Sequence, residues 1–114
     1  NIYIKNVVAR GAQRAMFFNG IPEQNIDNIN LENVSISAVY GAQLYEASNI
    51  TFRNIKVTNE KGPALDLRNV TNFSMTNFDF PETVEKAVKV SGAKSKNIQL
   101  AKTIAENQIE RINK

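Results

Sequence analysis

The stretch that decides the fold is NINLENV at residues 28–34, in which two asparagines enclose alternating apolar residues. The same pattern occurs as NIYIKNV at 1–7, NITFRNI at 49–55 and NFSMTNF at 72–78, and a weaker copy, NIQLAK, occupies 97–102. Recurrence of a pattern every 21 to 27 residues is typical of a repeat architecture. The repeat also accounts for many of the 16 asparagines, a residue type that strands disfavour.

Each copy predicts two short strands joined by a corner. Before the second asparagine the apolar residues alternate, as in a strand with one buried face. After it their parity shifts by one, which would turn them outward if the strand ran straight. Asparagine tolerates the left-handed backbone that a corner requires. We therefore expect corners, and a ladder of stacked side chains, at Asn6, Asn33, Asn54 and Asn77.

A third strand is predicted in each repeat by apolar pairs at 16/18, 42/44, 65/67 and 88/90. Three strands and three turns form one turn, or rung, of a right-handed parallel β-helix, whose rungs pair about 4.8 Å apart. The prediction is an all-β, single-chain solenoid with about five rungs, near 1–27, 28–48, 49–71, 72–96 and 97–114. Inserts fall at 19–24 and 81–86, and 103–114 forms a C-terminal cap or last strand. A β-sandwich or a leucine-rich repeat fits the spacing less well.

The N-terminal end of this solenoid has no recognisable cap, because residues 1–7 begin directly in a core strand. We therefore expect the chain to be the C-terminal part of a longer β-helix, truncated at its N-terminal end. An uncapped rung exposes strand edges and apolar side chains, so we also expect self-association through the first rung.

Composition excludes several kinds of chemistry. The 114 residues include no cysteine, histidine or tryptophan. Disulfides, thiolate catalysis, the commonest general base and the commonest metal ligand are therefore missing, and we expect no metal and no cofactor. The net charge of +3 is spread along the chain and predicts no nucleic-acid partner. No apolar run approaches the roughly 20 residues of a membrane span.

The outer surface must carry any function, because inward side chains fill the core. Outward positions of the third strand include Phe17, Gln43 and Tyr45, and Arg14 lies in the loop before it. Aromatic rings stack on pyranose faces and arginine pairs bidentately with carboxylates, so these four residues are candidates for binding an acidic sugar. A solvated surface without a ligand is the alternative.

Acidic residues offer no evident catalytic pair. Glycoside hydrolysis needs two carboxylates about 5–10 Å apart, and no two acids hold matching outward positions on neighbouring rungs. Asp66 and Arg68 are expected to form a surface ion pair of little energetic weight.

The repeat resembles the C-terminal rungs of family 28 glycoside hydrolases, the polygalacturonases, especially their secreted or periplasmic bacterial members. The resemblance covers about residues 1–100 and depends on the rung pattern, a Gly-Ala loop and FNGIPE at 18–23. It implies hydrolysis of α-1,4-galacturonosyl links in pectin by aspartates on adjacent rungs. The family's Asn-Thr-Asp, Asp-Asp, Gly-His-Gly and Arg-Ile-Lys motifs are absent here. The resemblance therefore implies a non-catalytic part, inactive alone, of an enzyme whose aspartates and signal peptide precede it.

Two alternatives stay open. A β-helix polysaccharide lyase would bind Ca²⁺ through clustered acids and use an arginine or lysine base, and the sequence shows no such acidic cluster. A non-enzymatic solenoid, such as an adhesin or carbohydrate-binding module, agrees with the lack of an acid pair.

Overall fold

The protein is built almost entirely of parallel strands. The computed structural model describes residues 2–20, 26–81, 86–92, 95–100 and 104–112. The strands are β1 (Ile2–Asn19), β2 (Ile26–Asp79), β3 (Val88–Ser91), β4 (Lys96–Gln99) and β5 (Ile109–Ile112), and a 3-10 turn at Glu106–Gln108 precedes β5. β1 and β2 are far longer than ordinary strands because they run through corners without losing their pairing.

Parallel pairing in register stacks one rung on the next. β1 pairs with β2 from Ile2↔Ile29 to Asn19↔Tyr45. β3 lies between β2 and β5, and β4 pairs with residues 71–74 of β2. The chain thus forms a parallel β-solenoid, and the predicted all-β parallel β-helix is confirmed. The inserts expected at 19–24 and 81–86 fall mostly outside the described residues.

The four predicted asparagine corners are confirmed. Asn6, Asn33, Asn54 and Asn77 have φ between 54° and 58°, in the left-handed region. Their side chains form the expected ladder, in which each Nδ2 donates to the Oδ1 one rung below over 2.9–3.2 Å. This first ladder joins the rungs at one edge of the solenoid by side-chain as well as backbone hydrogen bonds.

A second ladder forms at the asparagines that begin each repeat, which the repeat pattern alone assigned to strands. Asn28, Asn49, Asn72 and Asn97 all have φ of 56°. Asn97 donates to Asn72, which donates to Asn49, and Asn49 donates to the Asp27 carboxylate at 2.8 Å. Asp27 also accepts from the Ser48 hydroxyl, and these two bonds lower its pKa below the ordinary value of 3.8.

Inward side chains of successive rungs fill one continuous core. Phe52 and Phe73, on neighbouring rungs, are buried and meet edge to face with centroids 5.1 Å apart. Gly41 lies against the backbone of the next rung, and a Cβ there would collide with the Ala64 carbonyl oxygen. The interior is thus occupied by packed apolar side chains, which leaves the outer faces available for a ligand.

Candidate functional site

The third strands of successive rungs present one outer surface, called here the third-strand face. Its members are Arg14, Phe17, Gln43, Tyr45, Asp66, Arg68 and Lys89. The register places Phe17 beside Gln43 and Asn19 beside Tyr45, and one rung further on it places Asp66 beside Lys89. The four residues proposed from the sequence therefore lie on two neighbouring rungs of a single face, although Arg14, which was expected in a loop, lies within β1 opposite Tyr40.

Two arginines and two aromatic rings form a continuous stack on this face. The Arg14 guanidinium lies over the Phe17 ring, 4.5 Å from its centroid. Phe17 meets Tyr45 edge to face at 5.7 Å, and the Arg68 guanidinium lies 4.6 Å from the Tyr45 centroid. Each cation–π contact at such an exposed site contributes only about 0.5–1 kcal/mol. The arginines are thus held in place weakly enough to turn toward an incoming anion.

Tyr45 also connects the stack to an acid on the next rung. Its hydroxyl donates to Asp66 Oδ2 at 3.2 Å. Partial burial raises the pKa of Tyr45 above its ordinary value of 10.0, and the negative charge of Asp66 adds to this effect. The phenol therefore stays a hydrogen-bond donor at neutral pH.

The ion pair expected between Asp66 and Arg68 does not form, and that prediction is wrong. Arg53 and Glu32, on neighbouring rungs, do form an ion pair at 4.0 Å. Asp66 and Arg68 are alternate residues of one strand, and both bend toward Tyr45, one to its hydroxyl and one to its ring. Arg68 is therefore a member of the stack that the sequence reasoning missed.

A shallow basic groove continues the face toward the C-terminal rungs. Its volume is about 320 Å³, and it is lined by Arg68, Asn69, Lys89, Ser91, Gly92 and Ile112. Arg68 belongs both to this groove and to the aromatic stack. Together they form a strip that runs across several rungs and carries the cations Arg14, Arg68 and Lys89.

Glu46 borders the strip in an unusual conformation. Among the described residues it is the one with positive φ that is neither asparagine nor glycine, at 53°. Its Oε1 accepts from Asn69 Nδ2 at 2.7 Å, whereas its Oε2 is buried without a hydrogen-bond partner. Asparagine at 69 and glycine at 92 hold the left-handed corners of the following rungs. The sequence indicates that this corner is unusual, because position 46 holds a glutamate where the equivalent corners hold asparagine or glycine.

The face supplies binding groups more readily than catalytic ones. Asp66 already accepts from Tyr45, and Glu110 lies beside Lys89 in the strand register. In the described ranges no three His, Cys, Asp or Glu residues cluster as a metal site would require. The same ranges contain no helix long and apolar enough to cross a membrane.

Comparison of the chain with protein-family models, with curated proteins and with solved structures finds no significant match.

Proposed function

We propose that this chain is the C-terminal β-helix part of a pectin-degrading glycoside hydrolase of the polygalacturonase type, and that its third-strand face binds the polyuronate chain. The observation that carries the proposal is the strip of stacked arginines and aromatic rings that leads into the basic groove. The repeat pattern resembling the polygalacturonases supports it. Because pectin lies outside cells, the proposal places the parent protein in a secreted or periplasmic location.

The strip offers both kinds of contact that an acidic sugar needs. Phe17 is 45% exposed and presents apolar ring surface to a pyranose. The guanidinium groups of Arg14 and Arg68 match a carboxylate with two parallel N–H donors, whereas the Lys89 ammonium acts as a point charge. Since the rungs are about 4.8 Å apart, these groups present a linear array to a linear polymer.

Hydrolysis itself is assigned to other parts of the parent enzyme. An inverting glycosidase needs an acid and a base about 6.5–9.5 Å apart. Asp66 is held by the Tyr45 hydroxyl, and this face pairs it with Lys89 rather than with a second acid. We expect the isolated chain to bind polygalacturonate and to release no reducing ends from it.

Isothermal titration calorimetry with defined oligogalacturonates tests the proposal. Arg68→Ala should weaken binding about ten-fold, because a charged hydrogen bond is worth about 1.5–3 kcal/mol and this one is partly exposed to solvent. Lys56→Ala is the matched control, since Lys56 is an exposed cation of β2 that lies outside the strip. Fully methyl-esterified oligomers should bind weakly to the unmodified chain.

Three outcomes would contradict the proposal. The first is that the chain does not bind oligogalacturonate. The second is that Arg68→Ala and Lys56→Ala lose affinity equally. The third is that charged and esterified oligomers bind with equal affinity. Release of reducing ends by the isolated chain would contradict the assignment of catalysis to other parts of the enzyme.

A further inference from the structure

We propose that Asn19 is a site of spontaneous deamidation, and that its rate is controlled by opening of the hydrogen bond from the Gly20 N–H to the Tyr45 carbonyl. The reaction converts Asn19 to aspartate or isoaspartate and so adds a carboxylate to the third-strand face. This inference rests on one dipeptide and its backbone contacts, and it is independent of the proposed function.

The sequence singles out this asparagine. Asn19-Gly20 is the one Asn-Gly pair in the chain, although the chain contains 16 asparagines. Deamidation begins when the backbone nitrogen of the following residue attacks the side-chain carbon of asparagine. Glycine favours this attack because it has no side chain and a permissive backbone. The asparagines of the two ladders instead precede valine, isoleucine or phenylalanine, whose bulk hinders the same approach.

The reaction proceeds in two steps and consumes only water. The Gly20 nitrogen forms a bond to Asn19 Cγ, the Cγ–Nδ2 bond breaks, and Nδ2 leaves as ammonia with the proton from the Gly20 N–H. Water then opens the resulting five-membered imide. Opening at Cγ gives aspartate, whereas opening at the main-chain carbonyl carbon of Asn19 gives isoaspartate. No group is oxidised or reduced.

The fold holds both reacting groups in an unreactive arrangement. Gly20 N donates to the Tyr45 carbonyl over 2.9 Å, so it keeps the proton that it must lose. Asn19 is the last residue of β1, and the extended backbone of a strand does not have the dihedral angles that a planar imide ring requires. A hydrogen bond directly after a strand opens more often than those inside it. Deamidation should therefore occur from this locally opened state.

The product changes the third-strand face at a defined place. Asn19 and Phe17 are alternate residues of β1, so their side chains point to the same face. Asn19 lies beside Tyr45 in the register, and the Arg68 guanidinium lies over the Tyr45 ring. The new carboxylate therefore brings a negative charge into the strip. Isoaspartate also lengthens the main chain by one atom, so the bond to the Tyr45 carbonyl should not re-form in its present geometry.

Tandem mass spectrometry of the chain, incubated at neutral pH with and without denaturing urea, tests the proposal. Asn19 should be modified before any ladder asparagine. It should react about 5- to 30-fold more slowly in the folded chain than in the unfolded chain, the factor for an opening free energy of about 1–2 kcal/mol. Hydrogen exchange at the Gly20 N–H, followed by NMR, should be slowed by a similar factor because both reactions use the same opening.

Three variants separate local opening from the chemistry of the dipeptide. Phe18→Ala removes a side chain that packs against the core directly before the dipeptide, so deamidation in the folded chain should approach the rate in urea. Val8→Ala is the matched control, because Val8 is a 72% exposed apolar residue of the same strand and its loss should leave the rate unchanged. Gly20→Ala should slow the reaction in folded and unfolded chains alike. Urea below the unfolding transition provides the same loosening if Phe18→Ala does not fold.

Several results would overturn the proposal. They are equal rates in the folded and unfolded chains, earlier modification of a ladder asparagine, and no reaction at Asn19 in either state. Equal rates in Phe18→Ala and Val8→Ala, with no acceleration in mild urea, would show that opening of the Gly20 hydrogen bond does not control the reaction.

Discussion

Replacing Asn54 would measure how much the first ladder stabilises the solenoid. Asn54 donates to Asn33 Oδ1 at 3.1 Å, accepts from Asn77 Nδ2 at 2.9 Å, and has φ of 54°. Asn54→Gly keeps the left-handed corner and removes both hydrogen bonds. Asn54→Ala removes both bonds and also places at the corner a residue that tolerates this conformation poorly.

The expected losses follow from the geometry. Each ladder bond joins neutral, solvent-exposed groups and contributes about 0.5–1 kcal/mol, so two contribute about 1–2 kcal/mol. Glycine adds about 0.5–1 kcal/mol of backbone entropy, which gives roughly 1.5–3 kcal/mol for Asn54→Gly. Alanine instead adds about 1–2 kcal/mol for the left-handed backbone, which gives roughly 2–4 kcal/mol for Asn54→Ala.

Asn6→Gly is the matched control, because Asn6 stands at the end of the ladder and makes one of these bonds. It should be less destabilising than Asn54→Gly by about one hydrogen bond, roughly 0.5–1 kcal/mol. Free energies of unfolding from urea titrations followed by circular dichroism would compare the three variants. Equal losses for the two glycine variants, or an Asn54→Ala chain within 0.5 kcal/mol of the unmodified one, would refute the reasoning.

Three further predictions concern other contacts between rungs. Gly41→Ala should destabilise the chain by roughly 1–3 kcal/mol because the new methyl group meets the Ala64 carbonyl, and an unchanged urea midpoint would show that the backbone can move aside. Asp27 has a lowered folded-state pKa, so its stabilising contribution is full above pH about 3.8 and is lost as the pH falls through the folded value. Melting temperatures should therefore drop less at low pH for Asp27→Asn than for the unmodified chain, and parallel curves would count against this link. Glu46→Asn should stabilise the chain by about 1 kcal/mol, since asparagine suits the left-handed corner and no buried carboxylate oxygen is left unpaired, whereas a lower melting temperature would indicate that the bond to Asn69 matters more.

The fold could be predicted because the repeat shows in the sequence where each strand and each corner lies. Asparagine at a fixed place among alternating apolar residues is rare outside corners, and the change of parity after Asn33 or Asn54 has meaning only if the chain turns there. The second ladder was visible as spacing but not as conformation, because Asn49 also begins an apolar run. The missing information was the left-handed φ of these asparagines. From local sequence alone, an asparagine at a corner looks the same as an asparagine that begins a strand.

The contacts within the candidate site were harder to predict because the number of residues that separates two stacked positions changes along a single turn. Asn33 and Asn54 are bonded partners 21 residues apart, but Glu46 and Asn69, on the same two rungs, are 23 apart. Two extra residues enter between these points, where Asn59 is buried and donates to the carbonyls of Lys61 and Gly62. A constant step of 21 would predict only the Tyr45–Asp66 contact, which does form through the Tyr45 hydroxyl, and it would miss the Arg68 guanidinium that lies over the Tyr45 ring.

The stack and the fold therefore depend on different positions of the same strands. Inward residues such as Leu44 and Leu67 are 0% exposed and determine whether a rung forms. Outward residues such as Phe17 and Arg68 contribute little to the stability of the rung, and they determine what the rung can bind. If this separation holds, Arg68→Ala should change affinity for an acidic sugar about ten-fold while shifting the free energy of unfolding by no more than the roughly 0.5 kcal/mol of a typical surface substitution. A large loss of stability in Arg68→Ala would instead mean that its contact with Tyr45 is structural and that the strip is part of the framework.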